Sequence, residues 1–383
     1  MISSGGMYGA EAVILNVSRN LNEGSHRSIL GVFSNSSNPN LQLHENATKE
    51  GIESYLIPCN GQIDRKVIKS VRELVQRTGA DVVHAHGYKA DIYAFLALRA
   101  SRVSLVSTCH TWYDNDRKVL LYGVLDRLIL RGYARVVAVS EDVRQRLVKS
   151  GVKANRVSII SNGINLRSFD RASAVVKDEL GWSACPLIGL VGRLSVEKGV
   201  DIFLHAAARV FAHCPDAKFV VAGDGPDRAE LEALIDELGI RDHVRMLGRC
   251  DDMPALYASL DIMVSASRRE GLPIAILEGM ASRLPLVATA VGAVPTVIQN
   301  GRTGVLVPAA DPELLAAAIA ELLRDPAKRE RLGSAARQLV EDEFSAERMT
   351  NDYLRVYEDA IAVTAKGRER RGGFSAIPGG KTK

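Results

Sequence analysis

At 383 residues the chain is longer than one hydrophobic core usually supports, which predicts two domains with a cleft between them. Hydrophobic residues at 46%, charged residues at 25% and a mean hydropathy of +0.00 exclude collagen-like, coiled-coil and wholly disordered chains. The net charge of +4 conceals +7 over residues 1–170, −8 over 171–365 and +5 over 366–383, so the first half suits an anionic membrane surface or a phosphate-bearing acceptor, unless it serves solubility alone.

The N-terminus, Met1-Ile2-Ser3-Ser4-Gly5-Gly6, has no charged segment followed by an apolar run, so a secretory signal is not expected. Five scattered cysteines without a Cys-x-x-Cys pair agree with a reducing, cytoplasmic setting and speak against zinc or a disulfide scaffold. Only Met1 and Ile2 are apolar ahead of the Gly-rich turn, where a first parallel strand is expected, so several residues are expected to be missing from the start. Short β-branched runs then predict strands at 81–86, 103–108 and 135–140. Within 117–131, Leu121, Leu125, Leu128 and Ile129 share a helical face among basic residues; that face either packs on the sheet or lies in a membrane interface. A polar stretch at 168–184 marks the boundary, dividing the chain into domains 1–170 and 171–344. Further strands are predicted at 187–191, 218–222, 261–264 and 285–289, and Leu231, Leu234, Ile235 and Leu238 form the stripe of a helix packed on a sheet. The alternation predicts an α/β protein of two Rossmann-like, doubly wound parallel sheets. The tail 366–383, of Gly, charge and Pro, is predicted to be disordered.

Two segments of the second half carry candidate chemistry. Arg193 and Lys198, in Val191-Gly192-Arg193-Leu194-Ser195-Val196-Glu197-Lys198-Gly199, follow a buried strand, where cations can hold a diphosphate. Two solvated surface charges would look the same. Glu270 and Glu278 bracket Gly271-Leu272-Pro273 and an apolar run: Gly271 permits close backbone approach, and Pro273 suits the first helical position, whose free N–H groups point at an anion. Glu278, one helical stretch later, can accept two hydrogen bonds from a vicinal diol. Spacing alone decides nothing, because Glu45/Glu53 and Glu313/Glu321 share the interval and an exposed helical glutamate explains it equally well. Together the segments suit a nucleotide-sugar better than a plain nucleotide.

The arrangement resembles the retaining glycosyltransferases of family 4, with GT-B architecture, over nearly all of residues 1–363. The motifs stand in the family's order: Gly5-Gly6-Met7-Tyr8-Gly9-Ala10-Glu11, His84-Ala85-His86-Gly87, Ser107-Thr108-Cys109-His110, Ser161-Asn162-Gly163-Ile164, the Arg193/Lys198 segment, Gly223-Asp224-Gly225-Pro226, and Glu270 through Glu278. The chain departs at Ser282-Arg283-Leu284-Pro285, where the family usually has Gly before a small residue and Pro. The resemblance implies an enzyme transferring a sugar from a nucleoside-diphosphate sugar to a glycan or lipid-linked acceptor, in polysaccharide or glycolipid synthesis, without a metal or other cofactor and without a nucleic-acid partner. Glu270 would contact the sugar and Glu278 the ribose, Arg193 and Lys198 would bind the diphosphate, and His110 would stand near the sugar. Gly5, Gly6, Asn162, Gly192, Gly271, Leu272 and Pro273 would complete the donor site, and a helix at about 345–363 would return to the first domain.

Three rivals remain at this level. His84 and His86 share a strand face and, with His110, Asp114 or Asp116, could ligate the metal of a hydrolase. The same donor residues could serve a nucleotide-sugar-binding protein without turnover. A dinucleotide dehydrogenase is disfavoured, since Gly223-Asp224-Gly225-Pro226-Asp227-Arg228 lacks the third glycine of that fingerprint.

Overall fold

The computed structural model describes residues 1–3, 9–35, 41–60, 64–110, 117–270 and 274–372. They form two compact units, Met1–Ser161 with the chain from Glu347, and Asn162–Ala346. The first contains α1 (Gly9–Glu23), β1 (Ile29–Ser34), α2 (Gln42–Lys49), β2 (Glu53–Pro58), α3 (Arg65–Thr78), β3 (Val82–His86), α4 (Tyr88–Leu98), β4 (Ser104–Cys109), α5 (Arg117–Leu130), β5 (Arg135–Ala138), α6 (Glu141–Lys149) and β6 (Val157–Ile159). The second contains α7 (Arg167–Asp170), α8 (Val176–Glu179), β7 (Leu187–Val191), α9 (Val200–His213), β8 (Lys218–Ala222), α10 (Arg228–Glu237), β9 (Val244–Gly248), α11 (Met253–Ser259), β10 (Ile262–Ser265), α12 (Ile274–Ala281), β11 (Leu286–Thr289), α13 (Val294–Val297), β12 (Val305–Val307), α14 (Pro312–Arg324) and α15 (Pro326–Glu343). A last helix, α16 (Ala346–Gly372), rejoins the first unit and runs past residue 366, where the sequence reading began the tail.

In the first unit β3-β4-β5-β6 are parallel neighbours, β1 pairs with β2, and Ile2 bridges Val32 and His86 to link the two sets. One face carries Val83, Ala85, Leu105, Val136 and Ala138 against α3, α4 and α6. The other presents His84, Ser104 and Thr108 to α16 rather than to water. A cavity of about 500 Å³ opens beside Met1, lined in part by Ile14, Leu30, His84 and Tyr357. Of the apolar residues picked out on α5, Ile129 is buried, whereas Leu125 and Leu128 are 42% and 53% exposed; the side chain of Leu121 lies outside the described residues. Among the described residues, no helix is long and apolar enough to cross a membrane.

The second unit is a six-stranded parallel sheet in the order β12-β11-β10-β7-β8-β9. Because side chains alternate along a strand, Phe219 and Val221 of β8 meet α9, α10 and α14, while Val220 and Ala222 meet α11, α12 and α15. Residues 162–170 lie with this unit: Ile164 pairs with Ser345, and Asp170 takes the buried Arg337, which also binds Glu341 and the carbonyl of Ala281. In Ser282-Arg283-Leu284-Pro285, where the chain departs from the pattern it resembles, Arg283 itself adopts φ +58° and closes the turn from α12 to β11. A side chain there costs about 1–2 kcal/mol relative to glycine.

Candidate active site

Strand order reverses between β7 and β10, and the loops leaving the carboxyl ends of these strands hold the charged candidates. Lys198, from the loop after β7, pairs with Glu270, from the loop after β10. Ser267 Oγ donates to the same Glu270 oxygen, Oε1, at 2.7 Å, so Oε2 has no hydrogen-bond donor among the described residues. Glu270 is nearly enclosed, with 8% of its side chain exposed, against 27% for Lys198. Arg193 is exposed, and no described residue hydrogen-bonds its guanidinium.

Backbone approach without side chains holds these loops together. Gly199 lies against the carbonyl oxygen of Ala266, Gly223 against that of Gly192, and Gly292, after β11, against that of Glu270; a Cβ at any of them would fall inside van der Waals contact. Arg268 grips Asp201 with two hydrogen bonds of 2.7 and 2.6 Å and reaches the carbonyl of Val196. That guanidinium holds the Asp201 carboxyl below the usual carboxylate range. Thr289 of β11, buried, donates to the carbonyl of Ser267 at 2.6 Å. The loop carrying Glu270 is therefore fixed from β7, α9 and β11 at once.

Glu278 sits on α12, where burial raises its carboxyl and a 2.8 Å hydrogen bond from the hydroxyl of Tyr257 opposes that rise. Asn162 is buried at the start of the second unit. Gly192 ends the crossing from β7, its N–H donating to the carbonyl of Ala222 at 3.0 Å. Gly5, Gly6, Gly271, Leu272 and Pro273 lie outside the described residues, as do Asp114 and Asp116. The sequence reading missed Tyr257, Ser267, the Arg268–Asp201 clamp and Gly292. Only Ser267, three residues before Glu270, left a local signal.

The histidines of the first unit do not form a free ligand set. His84 Nδ1 meets the hydroxyl of Tyr357 on α16 at 2.8 Å and Nε2 meets Thr108 Oγ1 on the neighbouring strand β4 at 2.8 Å, so both nitrogens are already engaged. His86 Nδ1 meets His110 Nε2 at 3.2 Å. Burial lowers all three, His110 to about 4, so the rings are neutral at ordinary pH. Among the described residues no group of three His, Cys, Asp or Glu is placed to hold a metal ion; Asp114 and Asp116, which the hydrolase reading also invoked, lie outside them.

Comparison with known proteins gives the same picture. The family described as Glycosyl transferases group 1 matches residues 178–339, and Glycosyltransferase Family 4 matches residues 7–168. Alpha-D-kanosaminyltransferase of Streptomyces kanamyceticus is 33% identical over 70% of this chain and 74% of that protein. N-acetyl-alpha-D-glucosaminyl L-malate synthase of Bacillus anthracis is 29% identical over 86% of this chain and 87% of its own length. Among solved structures, Anabaena HepE in complex with UDP superposes with a TM-score of 0.80 at 21% identity, covering 93% of this chain and 98% of that one, a likeness of fold.

Proposed function

The chain belongs to the glycosyltransferases of group 1 and family 4, with GT-B architecture, and on that premise we propose that it moves a sugar from a nucleoside-diphosphate sugar to a glycan or lipid-linked acceptor with retention of anomeric configuration. The observation that carries this reading is the Lys198–Glu270 pair across the switch point. It sets a cation beside a carboxylate where an open α/β sheet receives ligands, and a sugar diphosphate offers an anion at one end and hydroxyls at the other.

In the transfer, the acceptor oxygen bonds to the anomeric carbon as that carbon's bond to the diphosphate oxygen breaks, and the acceptor proton passes to the departing phosphate on the same face. Negative charge grows on the diphosphate, so Lys198 and Arg193 stabilise the transition state more than the ground state. An ammonium has three N–H donors, and pairing with Glu270 leaves Lys198 donors for phosphate oxygens. These side chains supply the charge that a metal would otherwise bring. Uridine diphosphate is the preferred nucleotide, in line with the UDP bound by HepE. The first unit would take the acceptor, with neutral His110 as a positioning hydrogen-bond partner rather than an acid.

Calorimetry tests the division of labour. Glu278→Gln should weaken the free nucleoside diphosphate and the full donor alike, by roughly tenfold or more for a charge-assisted bond. Glu270→Gln should spare the nucleoside diphosphate and impair only the sugar-bearing form; equal losses of nucleoside diphosphate binding in both variants overturn the assignment. Proton NMR of the first-formed product should show the donor's anomer, and an inverted product excludes retention.

A cytoplasmic enzyme with a lipid-linked acceptor would also touch a membrane, and the exposure of Leu125 and Leu128 beside Arg131 on the basic first unit favours contact there. Each basic residue near an anionic surface contributes about 1 kcal/mol. Flotation with anionic liposomes should carry the protein at low salt and release it at high salt; a protein that stays behind at low salt has a soluble acceptor or another route.

A further inference from the structure

The mechanism leaves one buried polar group of the second unit without a task, the phenol of Tyr257. It lies on α11, whose first turn is capped by Asp252, and it is fully buried among Leu256, Ile276, Leu277 and Met280, with Phe169 edge-on at 6.0 Å. A buried hydroxyl needs a partner, and this one has chosen a carboxylate over any backbone carbonyl: it donates to Glu278 Oε2 at 2.8 Å. A phenol has one proton to give, so the bond fixes which carboxylate oxygen faces the protein and leaves Oε1 without a donor among the described residues. An ionised carboxylate held by one oxygen, its other oxygen open, is a preorganised acceptor for a diol.

We propose that Tyr257 is the positioning residue for nucleotide recognition, holding Glu278 ionised and oriented so that Oε1 receives the ribose hydroxyls. This rests on the reading that Glu278 binds the ribose. Burial works against the charged form of Glu278, and the phenol's hydrogen bond favours it. The surrounding groups leave that balance to Tyr257. Arg337 of α15 spends its charge on Asp170 and Glu341, Ser282 Oγ binds the backbone carbonyl of Glu278 rather than its carboxylate, and Cys250 bears on Tyr257 rather than on Glu278.

The test compares Tyr257→Phe with the parent by calorimetry, using whichever of uridine and guanosine diphosphate binds tighter and its 2′,3′-dideoxy counterpart, across pH. Phenylalanine keeps the ring in its packing and removes only the proton donor. The expected result is a roughly tenfold weaker ribonucleotide, an unchanged dideoxynucleotide, which doubles as the control for folding, and an acid limb of ribonucleotide binding displaced to higher pH. The sign follows from linkage: without the phenol, Glu278 takes up its proton sooner as pH falls. A variant that discriminates between the two nucleotides as the parent does, with the acid limb unmoved, overturns the proposal alone. A parent that binds neither nucleotide, or binds the ribo and dideoxy forms equally, overturns the ribose reading and the proposal with it.

Discussion

Lys198→Ala is expected to lower turnover about a hundred- to a thousandfold while leaving the fold intact, the range seen when one preorganised donor to a developing oxyanion is removed, roughly 2.7–4 kcal/mol. Lys198 leaves the loop after β7, half-buried, and its ammonium is tied to Glu270. The substitution therefore removes two things, the cation proposed to face the departing diphosphate and the partner that holds Glu270. Stability should change little, because Ser267 still donates to Glu270 and the loop is fixed independently by Arg268 and Thr289. Arginine should restore only part of the rate, since a planar guanidinium cannot occupy the point position of an ammonium. Loss in kcat and in kcat/KM by similar factors marks an interaction made in the transition state. Steady-state kinetics beside a thermal melt decide it, and activity within twofold of the parent at an unchanged Tm removes Lys198 from the mechanism.

The second large effect is expected at Gly292, where no substrate contact is needed to produce it. Its φ of +54° lies in the left-handed region, and a Cβ there would fall on the carbonyl oxygen of Glu270. The backbone term alone costs about 1–2 kcal/mol, and the overlap forces either the loop after β11 or Glu270 to move. Displacement of a catalytic group by about 1 Å can cost on the order of a hundredfold in rate. Gly301 separates the two contributions, having φ +77° and nothing within 4 Å of its would-be Cβ. Gly301→Ala should therefore lose about 1–2 kcal/mol and keep its activity, whereas Gly292→Ala should lose both stability and about two orders of magnitude in turnover. Equal behaviour of the two variants would show that the contact with Glu270 does not matter.

Local order was legible in the sequence because strands in doubly wound sheets are buried on both faces and read as short apolar runs. The runs at 187–191 and 218–222 coincide with β7 and β8. The candidate donor residues were legible for a related reason, since loops at the carboxyl ends of such strands carry the ligand groups, and Arg193, Lys198 and Glu270 all follow buried runs. The cover over His84 and Thr108 was not legible, because it comes from Tyr357 and Tyr353 of α16. Tyrosines 245 and 273 residues downstream of their partners leave no local trace in those strands.

By itself, then, the sequence determined the α/β class, the repeated parallel winding and the residue types of the candidate site loops, all properties of hydrophobic period and short-range spacing. Tertiary structure decided which charges meet. Lys198 and Glu270 are 72 positions apart and join only because the strand order reverses between β7 and β10. Tyr257 reaches Glu278 because α11 and α12 share one face of the sheet. Gly292 matters because the chain from β11 passes over the carbonyl of Glu270. Arg283 likewise stands at φ +58° where a glycine would sit without strain, held by Gly333 of α15, which lets its carbonyl approach. Periodicity is a property of neighbours along the chain, whereas pairing, burial and strain depend on neighbours in space, and only the packed sheet brings those together.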